Sequence, residues 1–280
     1  MIHLGLVGYP LEHSLSPKIH SAALKLSGLR GDYSLFPISP DDKQGLEDLL
    51  ARVRSGEITG LNVTIPHKQN VISCLDELTS TAKAIGAVNT IYCHNNKLVG
   101  DNTDADGFLL DLRRFTGNRE SKIVNRKVAL ILGAGGSARA VIYALLNHGW
   151  NVVVTARRME QAQQLAMSFP QRELSIMNYK TFDVEPSIFN LIVNTMPLGM
   201  TPNINQSPWP DDLPYPHQAM IYDLVYDPRE TKLVKDACAA GLSATTGLGM
   251  LIEQATLSFE IWTGHKPSRE TLLESIIHDP

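Results

Sequence analysis

The chain has 280 residues, 43% of them hydrophobic and 19% charged, with a net charge of −4 and a pI near 6.1. That supplies apolar material for one large or two medium domains, and the mild acidity gives no footing for nucleic-acid binding. Three scattered cysteines (Cys74, Cys93, Cys238) form no metal-ligand spacing, and with no basic leader and no apolar run of 18 residues they predict a soluble, cytoplasmic, metal-free protein with no membrane partner.

In chain order, residues 2–8 read as a first strand and 9–16 as a loop. Ser16-Pro17 is a helix start, with serine as N-cap and proline just inside. Ile19, Ala22, Ala23 and Leu26 follow at helical spacing. A strand is expected over 32–38, a helix over 40–54 and a strand over 60–65. Two helical pieces cover 67–74 and 78–85. Strands at 88–93 and 97–99 form a hairpin around Asn95-Asn96. Residues 104–115 are amphipathic and helical, and the polar stretch 116–125 suits a loop between domains.

The second half opens on an apolar, partly β-branched run over 127–132, which reads as a buried parallel strand. Gly133-Ala134-Gly135-Gly136-Ser137-Ala138 then fits G-x-G-x-x-A. Ala138, Val141, Ile142 and Leu145 share one face of the next helix, Gly149 stops it, and 151–155 is again strand. Strand, glycine turn, helix and strand within about 30 residues is the context of a dinucleotide-binding unit. Gly133 permits the tight turn, and Gly135 lets the backbone approach a pyrophosphate resting on the helix N-terminus. Where an NAD site places an acidic residue, this chain has Ala156-Arg157-Arg158. Two guanidinium groups suit a 2′-phosphate, so NADP is expected over NAD; the plainer alternative is a solvated helix start. A helix over 159–169, a strand over 190–194, a proline-rich loop over 197–216, a strand over 219–224 and a helix over 230–240 follow. Helices over 250–263 and 269–277 close the chain.

Eight motifs in order carry a resemblance. They are Gly8-Tyr9-Pro10-Leu11-Glu12-His13-Ser14-Leu15-Ser16-Pro17, Asn62-Val63-Thr64-Ile65-Pro66-His67-Lys68, Gly86-Ala87-Val88-Asn89-Thr90, Asn102-Thr103-Asp104, the glycine loop at 133–136, Asn194-Thr195, Asp223-Leu224-Val225-Tyr226, and Gly247 to Met250 with Gln254. Over nearly its full length the chain resembles the shikimate dehydrogenases, which reduce 3-dehydroshikimate to shikimate with NADPH in aromatic amino acid biosynthesis.

The resemblance implies an α/β fold of two domains. An N-terminal α/β substrate domain covers residues 1–104 and is completed by 250–280. A Rossmann-type NADP-binding domain covers 105–249, with the active-site cleft between the two. It implies that Lys68 and Asp104 are the catalytic pair, where a lone lysine would otherwise read as a solvated surface charge. A hydride delivered to a carbonyl leaves an alkoxide that needs a proton, and an aspartate can hold lysine and reacting hydroxyl in place. Ser14 and Ser16 match the substrate-carboxylate contacts, with Thr64 and Tyr226 on the same side, and Asn89 and Gln254 match groups that hold the ring hydroxyls. The cofactor side takes Gly133, Ala134, Gly135, Gly136, Ser137, Ala138, Arg157, Arg158, Thr195 and Gly247.

His13 and His67 match no catalytic position. The chain departs from many relatives in having Ser21 after His20, and Ala156 and Arg158 around the arginine that matches, Arg157. The near alternative is a quinate/shikimate dehydrogenase using NAD or NADP. A non-catalytic sensor would lack Lys68 or Asp104, and a glutamyl-tRNA reductase would need a nucleophilic cysteine in a matching motif. A monomer or a homodimer fits equally.

Overall fold

The computed structural model describes residues 1–117, 127–169, 174–179 and 186–277. The expected inter-domain loop at 116–125 thus falls mostly outside the described residues. The chain opens with β1 (Ile2–Gly8), α1 (Ser16–Leu26), β2 (Gly31–Pro37), α2 (Lys43–Arg54), β3 (Gly60–Val63) and α3 (His67–Asn70), which a short 3-10 turn (Val71–Cys74) continues. Then come β4 (Glu77–Leu78), α4 (Ser80–Ile85), β5 (Thr90–His94), β6 (Lys97–Asp101) and α5 (Asp104–Thr116). Six strands form one sheet in the order β2-β1-β3-β5-β6-β4. β1 runs parallel to both β2 and β3, with Leu6 opposite Leu35 and Asn62. β5 and β6 form the antiparallel hairpin, turning through Asn95 and Asn96 at φ 49° and 62°. Asparagine tolerates that left-handed backbone, so the pair is a two-residue hairpin turn. The two-residue edge strand β4 fills the gap between the two expected helical pieces and takes Leu78 from the start of the second, so that α4 begins at Ser80.

One expectation needs correcting at α1. Ser16 is the first helical residue, not the cap; Leu15 holds the cap position without a side-chain bond. The Ser16 N–H donates to Ser14 Oγ at 3.2 Å, so Ser14 satisfies the orphan donor that Ser16 was expected to satisfy. Helix α2 starts three residues later than expected, where Asp42 accepts from the Gly45 N–H.

The second half runs β7 (Val128–Leu132), α6 (Gly136–Asn147), β8 (Asn151–Thr155), α7 (Met159–Met167), β9 (Leu174–Ile176), β10 (Leu191–Asn194), β11 (Met220–Asp223), α8 (Lys232–Ala239) and β12 (Ser243–Thr246). The sheet is parallel throughout, in the order β12-β11-β10-β7-β8-β9. This is the doubly wound order, and the winding reverses between β7 and β10, the switch point where such sheets bind ligands. Ala138, Val141, Ile142 and Leu145 are all fully buried, as the helical spacing predicted. Gly149 sits at φ 75° just past the helix end.

The chain ends in α9 (Leu248–Thr263) and α10 (Arg269–Ile277). Contacts divide it into one unit of residues 1–107 with 251–280 and a second unit of 108–250. Each has its own apolar core. In the first, Val7, Leu61, Val63 and Ile91 of the sheet, with Val88 just ahead of β5, pack with Leu46, Leu49, Leu50 and Val53 of α2. In the second, Leu130, Leu132, Ile192 and Ile221 pack with Phe189, Trp209 and Leu233. α10 packs on α1 in the first unit, and the Arg269–Glu253 ion pair ties it to α9. No helix among the described residues is long and apolar enough to cross a membrane.

Candidate active site

Two short segments of the first unit bring the predicted catalytic pair together. After β3 the chain turns through Thr64, whose carbonyl accepts from the His67 N–H. His67 is buried, with its ring bonded to the Ile38 carbonyl at 2.7 Å; it anchors α3 and so sets the direction in which the next residue, Lys68, leaves the helix. The Lys68 carbonyl is held by the Val88 N–H at 2.7 Å. On the other side, Asn102 accepts from the Asp104 N–H and donates to the Ala87 carbonyl, which fixes where α5 begins. Lys68 Nζ then donates to Asp104 Oδ2 at 2.5 Å, with the side chains 11% and 5% exposed. A charge pair this dry is costly to assemble; its use lies in holding a proton donor and an acceptor at one fixed point.

Asn89 and Gln254 join that pair. Asn89 Nδ2 donates to Asp104 Oδ1 at 2.9 Å and to Gln254 Oε1 at 3.2 Å. Gln254 Nε2 donates to the Leu251 carbonyl one turn back on α9. Lys68, Asp104, Asn89 and Gln254 therefore form one connected cluster drawn from α3, α5, the approach to β5, and α9.

Ser14, Ser16 and Thr64 belong to the same unit. Thr64 is half-buried beside the end of β1, and its backbone N–H bonds the Val7 carbonyl. A Cβ on Gly8 would meet Thr64 Cγ2 at 2.3 Å, so glycine there lets Thr64 lie against the strand end. Tyr226 is half-buried three residues past β11, in the second unit.

The nucleotide loop can be separated residue by residue. Gly133 has φ 121°, and a Cβ there would meet Thr195 Oγ1 at 2.4 Å. Thr195 donates both its N–H and its hydroxyl to the Leu132 carbonyl, stitching β7 to the residue after β10 across the switch point. The fold itself therefore demands Gly133. Gly135 is different: φ is −87°, it is exposed, and a Cβ would meet nothing within 4 Å. Nothing inside the protein requires glycine there, which is what a backbone surface kept clear for a ligand looks like. Ala134 is half-buried beside it, and Gly136 and Ser137 open α6, whose N-terminal N–H groups receive no side-chain cap. Ala138 is fully buried, so its part is close helix–strand packing. Gly247 is packed against the Leu224 carbonyl, which a Cβ would approach to 2.3 Å.

Arg157 and Arg158 follow β8 and are exposed; neither has a hydrogen-bond or ion-pair partner among the described residues. No group of three or more potential metal ligands lies among the described residues.

One buried group received no sequence role. Asp223, at the end of β11, is fully buried; it accepts from Asn194 Nδ2 at 2.8 Å, the Val225 N–H at 3.0 Å and the Thr231 hydroxyl at 2.7 Å. Burial pushes its pKa up to about 6 despite these three donors. A carboxyl raised above its unfolded value of about 3.8 folds best when protonated, so its contribution is full below pH 3.8 and lost as pH rises through 6. Linkage makes this group worth on the order of 1 kcal/mol more at pH 5 than at pH 7. Denaturant titrations at both pH values should show that gain in the parent and not in Asp223→Asn; an equal pH slope in the two would remove Asp223 as its source.

Comparison with known proteins agrees with this geometry. Residues 6–91 match the family model of the shikimate dehydrogenase substrate binding domain. Residues 117–194 match that of the shikimate / quinate 5-dehydrogenases, and 247–277 that of the shikimate 5'-dehydrogenase C-terminal domain. The chain is 40% identical to the shikimate dehydrogenase (NADP(+)) of Salinibacter ruber, over 92% of this chain and 90% of that one. It is 36% identical to the same enzyme of Bacillus subtilis, over 98% and 95%. The crystal structure of shikimate 5-dehydrogenase from Thermus thermophilus in complex with NADP(H) and shikimate superposes with a TM-score of 0.84 at 35% identity, covering 98% of each chain.

Proposed function

The chain belongs to the shikimate dehydrogenase family, and we propose that Lys68 and Asp104 are its catalytic pair in the reversible, NADP-dependent interconversion of 3-dehydroshikimate and shikimate. The observation that carries the reading is the 2.5 Å contact of Lys68 on Asp104 inside the Asn89–Gln254 cluster. When bound, the nicotinamide supplies the hydride that reduces the substrate carbonyl carbon. The chain's own task is the oxygen. Lys68 Nζ gives it a proton as negative charge develops, and in the reverse direction takes that proton back. Asp104 holds the ammonium in line, and its own orientation comes from Asn89.

Ser14 and Ser16 hold the substrate carboxylate at the start of α1, helped by Thr64 and Tyr226, while Asn89 and Gln254 hold ring hydroxyls. The loop from Gly133 to Ala138, with Thr195 and Gly247, holds the nucleotide, and Arg157 and Arg158 hold the 2′-phosphate. Cys74, Cys93 and Cys238 are free thiols, which favours a reducing, cytoplasmic setting, and the reading is the same for a monomer or a homodimer.

The test is the absorbance change at 340 nm in a grid of shikimate or quinate against NADP or NAD. Turnover confined to shikimate with NADP supports the reading. Comparable turnover with quinate or NAD moves the protein to the quinate/shikimate branch that the middle family model also covers. Nucleotide binding without turnover in any combination sinks the catalytic roles.

A further inference from the structure

Three motif residues have no part in the chemistry above: Asn62, which opens the run ending in Lys68; Thr90, which follows Asn89; and Thr103, which precedes Asp104. All three converge on one side chain that belongs to no motif, the fully buried Ser258 hydroxyl, one helical turn beyond Gln254 on α9. Ser258 Oγ lies 3.2 Å from Asn62 Nδ2, 2.7 Å from Thr90 Oγ1 and 3.0 Å from Thr103 Oγ1, and it is also 3.0 Å from the Gln254 carbonyl.

The orientation of the Asn89 amide follows from which atoms can only donate. The Thr103 N–H, 2.8 Å from the Asn89 amide, must face its oxygen, so Oδ1 is on that side and Nδ2 faces Asp104. The second lone pair of Oδ1 takes the Thr90 hydroxyl hydrogen at 2.9 Å. Thr90 and Ser258 meet at 2.7 Å, each with a single hydroxyl hydrogen, and the Gln254 carbonyl lies in reach of Ser258 as Asn89 Oδ1 does of Thr90. Ser258 in turn accepts from Asn62, whose own Oδ1 takes the Tyr33 hydroxyl at 2.8 Å. The Thr103 hydroxyl lies 3.0 Å from the Gln254 carbonyl, and with Gln254 Oε1 it shares the second Nδ2 hydrogen of Asn89, the first being given to Asp104. Tyr33, Asn62, Ser258, Thr90, Asn89 and Asp104 are thus joined contact by contact into one buried hydrogen-bonded chain.

We infer that Thr90 and Ser258 are positioning residues, a hydrogen-bonded relay that locks the Asn89 amide so that it donates to Asp104 Oδ1 and leaves Oδ2 to Lys68. The inference rests on the catalytic assignment of Lys68 and Asp104. Without the Thr90 hydroxyl, Asn89 Oδ1 keeps one donor, its amide is free to rock, and the carboxylate it orients loses its fixed aim. Sites held loosely by their support lose rate steeply, here by about tenfold or more.

Thr90→Val keeps the shape and removes the hydroxyl; Thr90→Ser keeps the hydroxyl and removes a buried methyl. A packing role makes the serine variant at least as impaired as the valine one, and a relay role makes it the active one. The experiment measures kcat with shikimate and NADP for parent, Thr90→Val, Thr90→Ser, Ser258→Ala and the double variant Thr90→Val/Ser258→Ala, with melting curves and NADP titrations confirming that each folds and binds nucleotide. The expected result is kcat down about tenfold or more in Thr90→Val and Ser258→Ala, no further loss in the double variant, and Thr90→Ser within about twofold of the parent. Should Thr90→Val not fold, Ser258→Ala, which deletes one oxygen, still decides. Unchanged kcat in Ser258→Ala, or a Thr90→Ser as slow as Thr90→Val, overturns the relay while the parent's activity leaves the functional reading standing. A parent without activity overturns both.

Discussion

Lys68→Ala should lower kcat by about a thousandfold while the KM for shikimate stays within about threefold, since positioned proton transfer contributes about 10² to 10⁴ in rate. The size follows from the surroundings. Lys68 is 11% exposed and paired with a carboxylate that Asn89 also holds, so water cannot easily take its place as proton donor. The small KM effect follows because the residues proposed to hold the ground state are others: Ser14, Ser16, Thr64 and Gln254. The variant also leaves Asp104 buried without its cation, a change that destabilises by about 2 kcal/mol or more, so kcat is read at a temperature where melting shows the protein fully folded. A variant with near-normal turnover would remove lysine from the chemistry. One with raised KM and intact kcat would make Lys68 a binding group that acts equally on ground and transition states.

How far the sequence foretold the fold depended on whether its signals were local. The strand at β7 was legible because an apolar run ended in a glycine that only a φ of 121° requires, and the hairpin because Asn95-Asn96 is a turn pair wherever it occurs. β4, β9 and β12 were not foreseen, and each is an edge strand or close to one, two to four residues long. β12 is Ser243-Ala244-Thr245-Thr246, half-buried throughout, so it shows neither alternation nor an apolar run. Its existence depends on β11 beside it. The cap at α1 was misplaced for a similar reason: Ser14 and Ser16 are both good cap residues, and only the path of the loop decides which hydroxyl meets the orphan N–H.

The site was legible to the extent that its chemistry-bearing residues sit in short motifs. Lys68 and Asp104 lie 36 residues apart and meet as expected. What held them was not legible. Ser258 reaches Asn62 across 196 positions and Thr90 across 168, and a serine in the middle of an apolar helix carries no sign of what it will face. Asp223 was visible only as a motif letter; its raised pKa arises from burial, which no local pattern announces.

The cofactor choice is the second large effect. Arg157→Ala/Arg158→Ala should lower kcat/KM for NADP by about a hundredfold and leave that for NAD within about threefold. Charge-assisted hydrogen bonds are worth about 1.5 to 3 kcal/mol each, and a pair discounted for exposure comes to about 3 kcal/mol, or a hundredfold. The two side chains are exposed and make no hydrogen bond or ion pair among the described residues, Arg157 acting only as a charge near Tyr179, so melting should barely move. Exposure makes a further demand. If these arginines hold a phosphate, the KM for NADP in the parent must rise with salt, and that rise must vanish in the double variant. The selectivity then has one physical source, since β8 is followed by Ala156-Arg157-Arg158, with no acidic residue there to receive a ribose 2′-hydroxyl. A loss shared equally between NADP and NAD would place the arginines on the part of the cofactor common to both. In that case the preference would have to come from outside Gly133 to Ala138 as well, since a loop proposed to hold the pyrophosphate meets a group that both nucleotides share.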